Sequence, residues 1–483
     1  MTRLTETGKQ PSTTPRDRFT GLSRQSIGAL VAVAAAATIK LQPAIGQLDP
    51  TGRSAVAVMA LTVVLWVTDV LNAGITAVLA LGLLIIAGVP SSVALSGFAT
   101  GAFWILVCVL FFGTAMDKTG LARRISYRIL LVFPPTYAGI LIAFMLIGFV
   151  LTIGVPSMTV RTAIMVPIAF ALVQAIELPL PSRGAALIVL GAFEMAVLPG
   201  CAVLTGSLFG PFIAGLFQNA GLPITWFEYA RVMTLPTVIW CGLIVAASLA
   251  VLRPPPMADV SGQVVREQMD QLGPMRRGEL MTAIIIASAV VAWAAQPWHR
   301  VPPEAIGMLA LAALFATRVL VPGEIGTGIP WALAIFVGGM LSLTTVMSTY
   351  RINGWLGGYI VPAVQPFVGN PWLLVVAISA AVAAMRFLDP VGFLTIAAFF
   401  LPLSGFMAER GVPPLVLTAI ILLPVHVFWF NYQNIWIVMT EGISKKSAYT
   451  DEDRIKLASA FFGVTVVALL IGVAYWRVMG ILP

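Results

Sequence analysis

The sequence predicts an all-α polytopic membrane protein of about eleven transmembrane helices plus two re-entrant hairpins, arranged as an inverted repeat. Three observations carry that expectation. The 483 residues are 59% hydrophobic and only 10% charged, where a soluble chain carries roughly 25% charged residues. The apolar residues fall in runs of about 17–22, the length that crosses a hydrocarbon core of about 30 Å as helix. Two stretches, 135–176 and 371–408, are broken by glycine and proline near their middles. Nothing alternates with period two, which excludes a transmembrane barrel.

Taken in order, residues 1–26 are polar, rich in Ser, Thr and Pro, and read as a disordered cytoplasmic tail. The run 27–39 has the length of a signal-peptide core. A long tail precedes it and no small-x-small cleavage site follows, so it reads as the start of a first span, 27–46. Further spans fall at 54–70, 73–89 and 100–116, followed by a basic amphipathic segment, 117–130. Apolar arms 135–153 and 160–176 flank Gly154-Val155-Pro156-Ser157-Met158-Thr159. Apolar stretches 183–217 and 231–251 close a first repeat, 27–251, and the longest polar loop, 252–279, follows on the cytoplasmic side. The second repeat, 280–483, runs through 280–296, 303–320, 329–348, an amphipathic piece at 353–363, arms 371–388 and 393–408, then 413–443 and 456–479.

Charge orients this plan. Arg3, Lys9, Arg16, Arg18 and Arg24 in the tail, and Lys118, Arg123, Arg124 and Arg128 after the fourth span, belong on the cytoplasmic side. Lys445, Lys446, Arg454 and Lys456 mark a later cytoplasmic loop, which puts the C-terminus outside. The net charge of +8 therefore reflects topology; no basic stretch interleaved with aromatics points to nucleic acid. Cys108, Cys201 and Cys241 lie within apolar runs and give neither a disulfide framework nor a metal site. His299 and His426 are too few and too far apart for a histidine metal cluster.

Paired hydrophobic segments broken at corresponding places mark a transporter whose site lies at the breaks, because unwound backbone persists in a membrane only where it lines a cavity or ligand. Met165-Val166-Pro167 corresponds to Phe400-Leu401-Pro402, and Lys118-Thr119-Gly120-Leu121 to Ile352-Asn353-Gly354-Trp355. At these residues the chain resembles the divalent anion/sodium symporter family, carriers of dicarboxylates, citrate or sulfate. Leu65-Trp66-Val67-Thr68-Asp69 with Ile75-Thr76-Ala77-Val78-Leu79 is similar to the family's Trp-Leu-Thr-Glu and Thr-Ala-Leu-Leu. The stretch Ala115 to Arg124 resembles its basic interfacial helix, Leu272-Gly273-Pro274-Met275-Arg276-Arg277-Gly278-Glu279 its central-loop signature, and Trp331 through Gly338-Gly339-Met340 the start of its second half.

The resemblance implies a homodimer in the inner membrane, without cofactor, working as an elevator around one central site. Na⁺ or H⁺ coupling and anion exchange all stay open. It further implies a Ser-Asn-Thr at each hairpin tip. Counting back from Pro167 and Pro402, those positions hold Ser157-Met158-Thr159 and Gly392-Phe393-Leu394, so the first tip lacks its Asn and the second has lost all three residues. Each hairpin is complemented in the family by a broken helix. Thr205-Gly206-Ser207 occupies the first such loop, whose Asn position falls on Gly210, and His426 to Asn434 the second.

The candidate substrate-binding residues are therefore Ser157, Met158, Thr159, Arg161, Thr205, Gly206, Ser207, Gly392, Thr395, Asn431 and Asn434, with a possible Na⁺ place near Ser157, Thr159 and Thr205. Hydroxyls and free amides at a helix start suit an anion, since that end carries partial positive charge. Arg161 is the sharpest clue: a mid-membrane arginine costs about 2.5–3.5 kcal/mol on insertion scales, so it faces a cavity or a partner. The alternatives for it are neutralising the substrate or pairing with Glu194. Arg386 and Asp389, one turn apart, are expected to pair with each other. Glu194, Asp389 and His426 are the candidate coupling groups, set against helix–helix hydrogen bonding as the plainer role for the polar patch. A cation/proton antiporter using Asp389 and Glu194 is the rival reading. An intramembrane enzyme or sensor is a further one, without a nucleophile–base pair, metal-ligand cluster or soluble output domain to support it.

Overall fold

The computed structural model describes residues 24–42, 48–68, 70–155, 157–222, 224–256, 263–389 and 391–482. The tail before Arg24, Asp69, Pro156 of the first tip and the middle of the 252–279 loop lie outside the described residues. Among the described residues, ten helices of ten or more residues form the first half: α1 Arg24–Leu41, α2 Pro50–Val67, α3 Ala73–Ile86, α4 Gly101–Thr119, α5 Leu121–Leu130, α6 Tyr137–Gly154, α7 Met158–Ala175, α8 Arg183–Val197, α9 Phe209–Asn219 and α10 Trp226–Leu252. After a loop helix, α11 Gln263–Gln271, come α12 Arg277–Ala294, α13 Pro303–Ala316, α14 Trp331–Thr349, α15 Ile352–Val364 and α16 Pro371–Met385. The chain ends with α17 Phe393–Ala408, α18 Pro414–Leu422, α19 Ile435–Ile443 and α20 Asp451–Val478. The protein is all-α and polytopic.

The order of the second half repeats that of the first, α2 through α10 matching α12 through α20. The packing repeats too. α3 lies on α14 as α13 lies on α4; α6 lies on α10 as α16 lies on α20; and α10 and α20 pack on each other. Equivalent helices even share their start signals. Thr225 with Glu228 opens α10 as a reciprocal capping box, and Thr450 with Asp453 opens α20 in the same way. Serine or threonine caps also begin α6 (Thr136), α7 (Ser157) and α8 (Ser182).

Among the described residues, nine helices are long and apolar enough to cross a membrane, and α6 and α7 are two of them. Length alone therefore does not separate a dipping arm from a full crossing. The apolar stretches 183–217 and 413–443 are each broken. α8 passes through a 3-10 turn at Leu198–Cys201 before α9, and α18 passes through Pro424–His426 and Asn431–Gln433 before α19.

The basic segment after α4 is fastened to the start of the second half. Arg124 Nε and Nη2 reach Glu279 Oε1 and Oε2 at 3.0 and 3.1 Å. Its Nη1 donates to Gly273 O at 2.8 Å, while Nη2 also meets the carbonyls of Leu272 and Pro274. Both side chains of the pair are buried. Nearby, Lys118 pairs with Glu324 at 2.7 Å.

Candidate functional site

The first break lies between Gly154 and Met158. Ser157 caps α7, its hydroxyl accepting from the Val160 amide at 3.3 Å, and Ser157 and Met158 are both buried. Half-buried Thr159 accepts a hydrogen bond from Trp436 Nε1 of α19 at 3.1 Å, a contact that joins this tip to the opposite half. Arg161, in the first turn of α7, is fully buried. Its Nε donates to Ala196 O at 2.6 Å and its Nη1 to Val155 O at 2.7 Å and Gly206 O at 2.8 Å. Nη2 has no hydrogen-bond partner among the described residues.

The guanidinium fits because Gly200 and Gly206 carry no side chains. A Cβ on Gly200 would stand 2.6 Å from Arg161 Nη2, and one on Gly206 would stand 2.7 Å from Gly200 O. Arg161 does not pair with Glu194, whose Oε2 instead accepts from Ser248 at 3.4 Å. None of the ion pairs among the described residues includes Arg161. Thr205 accepts from Trp226 Nε1 at 3.0 Å, and Ser207 is buried beside it.

The second tip is built differently. Asp389 stands where α16 has ended and α17 has not begun. Its Oδ1 accepts from the amides of Val391 and Gly392 at 3.1 and 2.9 Å, and its Oδ2 from the amide and hydroxyl of Thr395, both at 2.8 Å. A carboxylate of the chain itself thus occupies the amide-rich start of α17, the place an external anion would take. Arg386 pairs with Asp389 at 3.7 Å, as the sequence spacing leads one to expect. The same guanidinium donates to Val425 O at 2.7 Å and contacts Asp389 O and Gln433 O. Gly392 sits at φ +99°, the left-handed region that favours glycine.

Around the second broken helix, buried His426 meets Leu422 O through Nδ1 at 3.0 Å and Cys201 Sγ through Nε2 at 3.8 Å. Its ring is flanked by Phe209 and Trp240 at 5.3 and 5.9 Å. Asn431 gives its amide to both oxygens of Glu441 at 2.7 Å, and Asn434 caps α19 by accepting from the Trp436 amide at 3.0 Å. Gln433, within the polar patch His426 to Asn434, belongs to this constellation, and so do Gly200, Phe209, Trp436 and Glu441, which the sequence reading does not include. Glu441, an acid within an apolar run, and Gly200, directly after Pro199, carried the only visible signals.

The two tips face one another across an aromatic cluster. Phe393, next to Gly392, lies 4.7 Å from Phe209; Phe209 lies 6.4 Å from Trp436; and Trp436 holds Thr159. The packing is crossed between halves: α7 lies against α19, and α17 against α9. The two broken helices, the α6–α7 and α16–α17 links and two buried guanidiniums thus converge at one place, where Ser157, Arg161, Thr205, Arg386, Asp389, Thr395 and His426 are all buried. Broken membrane helices gathered in this way, with their amide and carbonyl ends turned inward, define a secondary transporter.

The particular family follows from comparison with known proteins. A profile of the sodium:sulfate symporter transmembrane region matches residues 23–482, and the chain belongs to that family. It is 25% identical to the putative malate transporter YflS of Bacillus subtilis over 60% of this chain and 63% of that one. It is 23% identical to dicarboxylate transporter 1, chloroplastic, of Spinacia oleracea over 75% of this chain and 65% of that one. The chain thus spans slightly under two thirds of the length of these two relatives. Among solved structures, the YdaH transporter of Alcanivorax borkumensis is similar in fold, with a TM-score of 0.51, 12% identity and coverage of 81% of this chain and 89% of that one. The protein is a multi-pass membrane transporter of the sodium:sulfate symporter family.

Proposed function

We propose that the chain carries a small di- or tricarboxylate, or a sulfate-like anion, by alternating access, and that the cargo binds at the first tip. The observation that carries this reading is Arg161. It is a fully buried guanidinium without a carboxylate partner among the described residues, one of whose amino groups is unused, beside the start of a helix. Carbonyls hold three of its hydrogen bonds but supply no full negative charge, so a guanidinium without a carboxylate in a membrane interior calls for a negative visitor. The second tip is self-neutralised: Asp389 and Arg386 cancel, and Gly392 and Thr395 already serve Asp389. Ser157, Met158, Thr159, Arg161, Thr205, Gly206 and Ser207 line the anion place, and Asn434 and Trp436 close it from the other half.

In this reading α6–α9 and α16–α19 form the part that moves, the remaining helices form the scaffold, and two copies make a dimer in the inner membrane. The N-terminus faces the cytoplasm and the C-terminus the outside. The halves 27–251 and 280–483 are inverted repeats joined by a cytoplasmic loop. The rival cation/proton antiport needs Asp389 as a carrier, and its oxygens here accept from three residues of the tip. Uptake of labelled succinate, malate, citrate and sulfate into proteoliposomes tests the reading. Saturable uptake of one of these anions is expected, abolished by Arg161→Gln in protein that still purifies as a single species. Undiminished uptake by that variant, or sodium efflux driven by a pH gradient without anion uptake, refutes it.

A further inference from the structure

The two buried guanidiniums answer the same need at corresponding places of the two halves. Each receives carbonyl oxygens from three positions of the repeat. The first is the residue before the tip proline, Val155 ahead of Pro156 and Asp389 ahead of Pro390. The second lies close to the break in the interrupted helix, Ala196 in the last turn of α8 and Val425 in the 3-10 turn that follows α18. The third lies in the link that leads into the second half, Gly206 before α9 and Gln433 before α19. Carbonyls at the ends of interrupted helices lack partners in their own helix and carry partial negative charge. Three of them converging in a membrane interior form a cage that only a cation or several donors can satisfy, and in membrane transporters such unwound carbonyls coordinate alkali ions.

The arginines reach these cages from different directions. Arg161 stands after its tip, in the first turn of α7, whereas Arg386 stands before its tip, at the end of α16. The shared feature is the cage, not the side chain's position in the repeat.

We propose that Arg161 and Arg386 are tethered cations that permanently fill two repeat-related carbonyl cages, so that this transporter works without a sodium gradient and a cage accepts a free alkali cation once its arginine is truncated. The gradient clause rests on the anion-transport reading above; the occupancy of the cages does not. Asp389 Oδ1, 3.7 Å from Arg386 Nη1, makes the second cage the better receptor for a free cation after truncation.

The test uses the full chain and Arg386→Ala, with Arg386→Lys as the variant that keeps a tethered charge. Purified protein is melted in sodium chloride and in choline chloride, and uptake of labelled succinate and sulfate is followed in sodium and sodium-free buffers. The wild type and Arg386→Lys are expected to melt alike in both salts. Arg386→Ala is expected to gain a saturable rise in melting temperature with sodium. In the uptake arm, wild-type transport should survive sodium removal, whereas Arg386→Ala should lose uptake in choline and regain it with sodium. If no anion is carried at all, the function reading fails while the melting arm still decides the cages. Saturable sodium stabilisation of the wild type, or an Arg386→Ala protein indifferent to sodium, overturns the proposal. Should Arg386→Ala not assemble, Arg161→Ala in the same melting assay decides it by the same criterion.

Discussion

The pair Arg124–Glu279 joins the two halves of the chain, and its loss can be worked through. Glu279→Gln removes the charge that meets Arg124 at two oxygens, 3.0 and 3.1 Å away, with both side chains buried. Removing one partner of a buried pair costs about 3–5 kcal/mol, because the other charge is left uncompensated. Arg124 keeps the carbonyls of Leu272, Gly273 and Pro274, so the expected cost lies near the lower bound, about 3 kcal/mol. Replacing both residues by methionine removes the stranded charge, and the double variant should be less damaged than the sum of the singles Arg124→Met and Glu279→Met. A coupling energy of about 2 kcal/mol is the expected excess. Reversible unfolding in mixed detergent–SDS micelles supplies the four free energies of the cycle. Additivity within about 0.5 kcal/mol would refute the claim that this pair fastens α5 to the loop ahead of α12.

Three further outcomes follow from the site. Trp436→Phe and Thr159→Val each remove the one hydrogen bond between them, at about 1 kcal/mol apiece, and the double variant should cost no more than either single in the same unfolding assay. Gly392→Ala places a Cβ 2.3 Å from Val425 Cγ1 at a left-handed φ of +99°, so a loss of about 2 kcal/mol or more is expected, read as a lower melting temperature. Gly200→Ala forces a methyl to within 2.6 Å of Arg161 Nη2 and 2.8 Å of Gly206 O; anion uptake should fall sharply in the protein that folds, and the melting temperature should fall with it.

The helices were legible because membrane crossing imposes length and apolarity on the sequence itself. The apolar runs 393–408 and 371–388 coincide to within a few residues with helices Phe393–Ala408 and Pro371–Met385, and Ser157, Ser182 and Thr225 cap helix starts by their side-chain oxygens. The cations were also legible, since Arg161 and Arg386 stand in apolar surroundings where a charge must have a reason. Their targets were not. A backbone carbonyl has no letter in the sequence, so Val155, Ala196 and Gly206 gave no sign of converging on Arg161. The alternative pairing with Glu194 failed because that carboxylate turns instead to Ser248 of α10. At the second tip the expected Arg386–Asp389 pair is present, but the main work of Asp389 is to accept from the start of α17. That role depends on a chain reversal that local spacing does not reveal. Asn431, read as a substrate ligand, gives its amide to Glu441, a partner brought near only when α19 folds back.

The unlike addresses of the two arginines bear on how each break is held. One guanidinium sits after its bend and the other before, yet each draws together backbone oxygens from three separate stretches of chain. Sliding either bend away from its interrupted helix would strip those oxygens from the cation, so each bend and its interrupted helix are tied to travel as one piece.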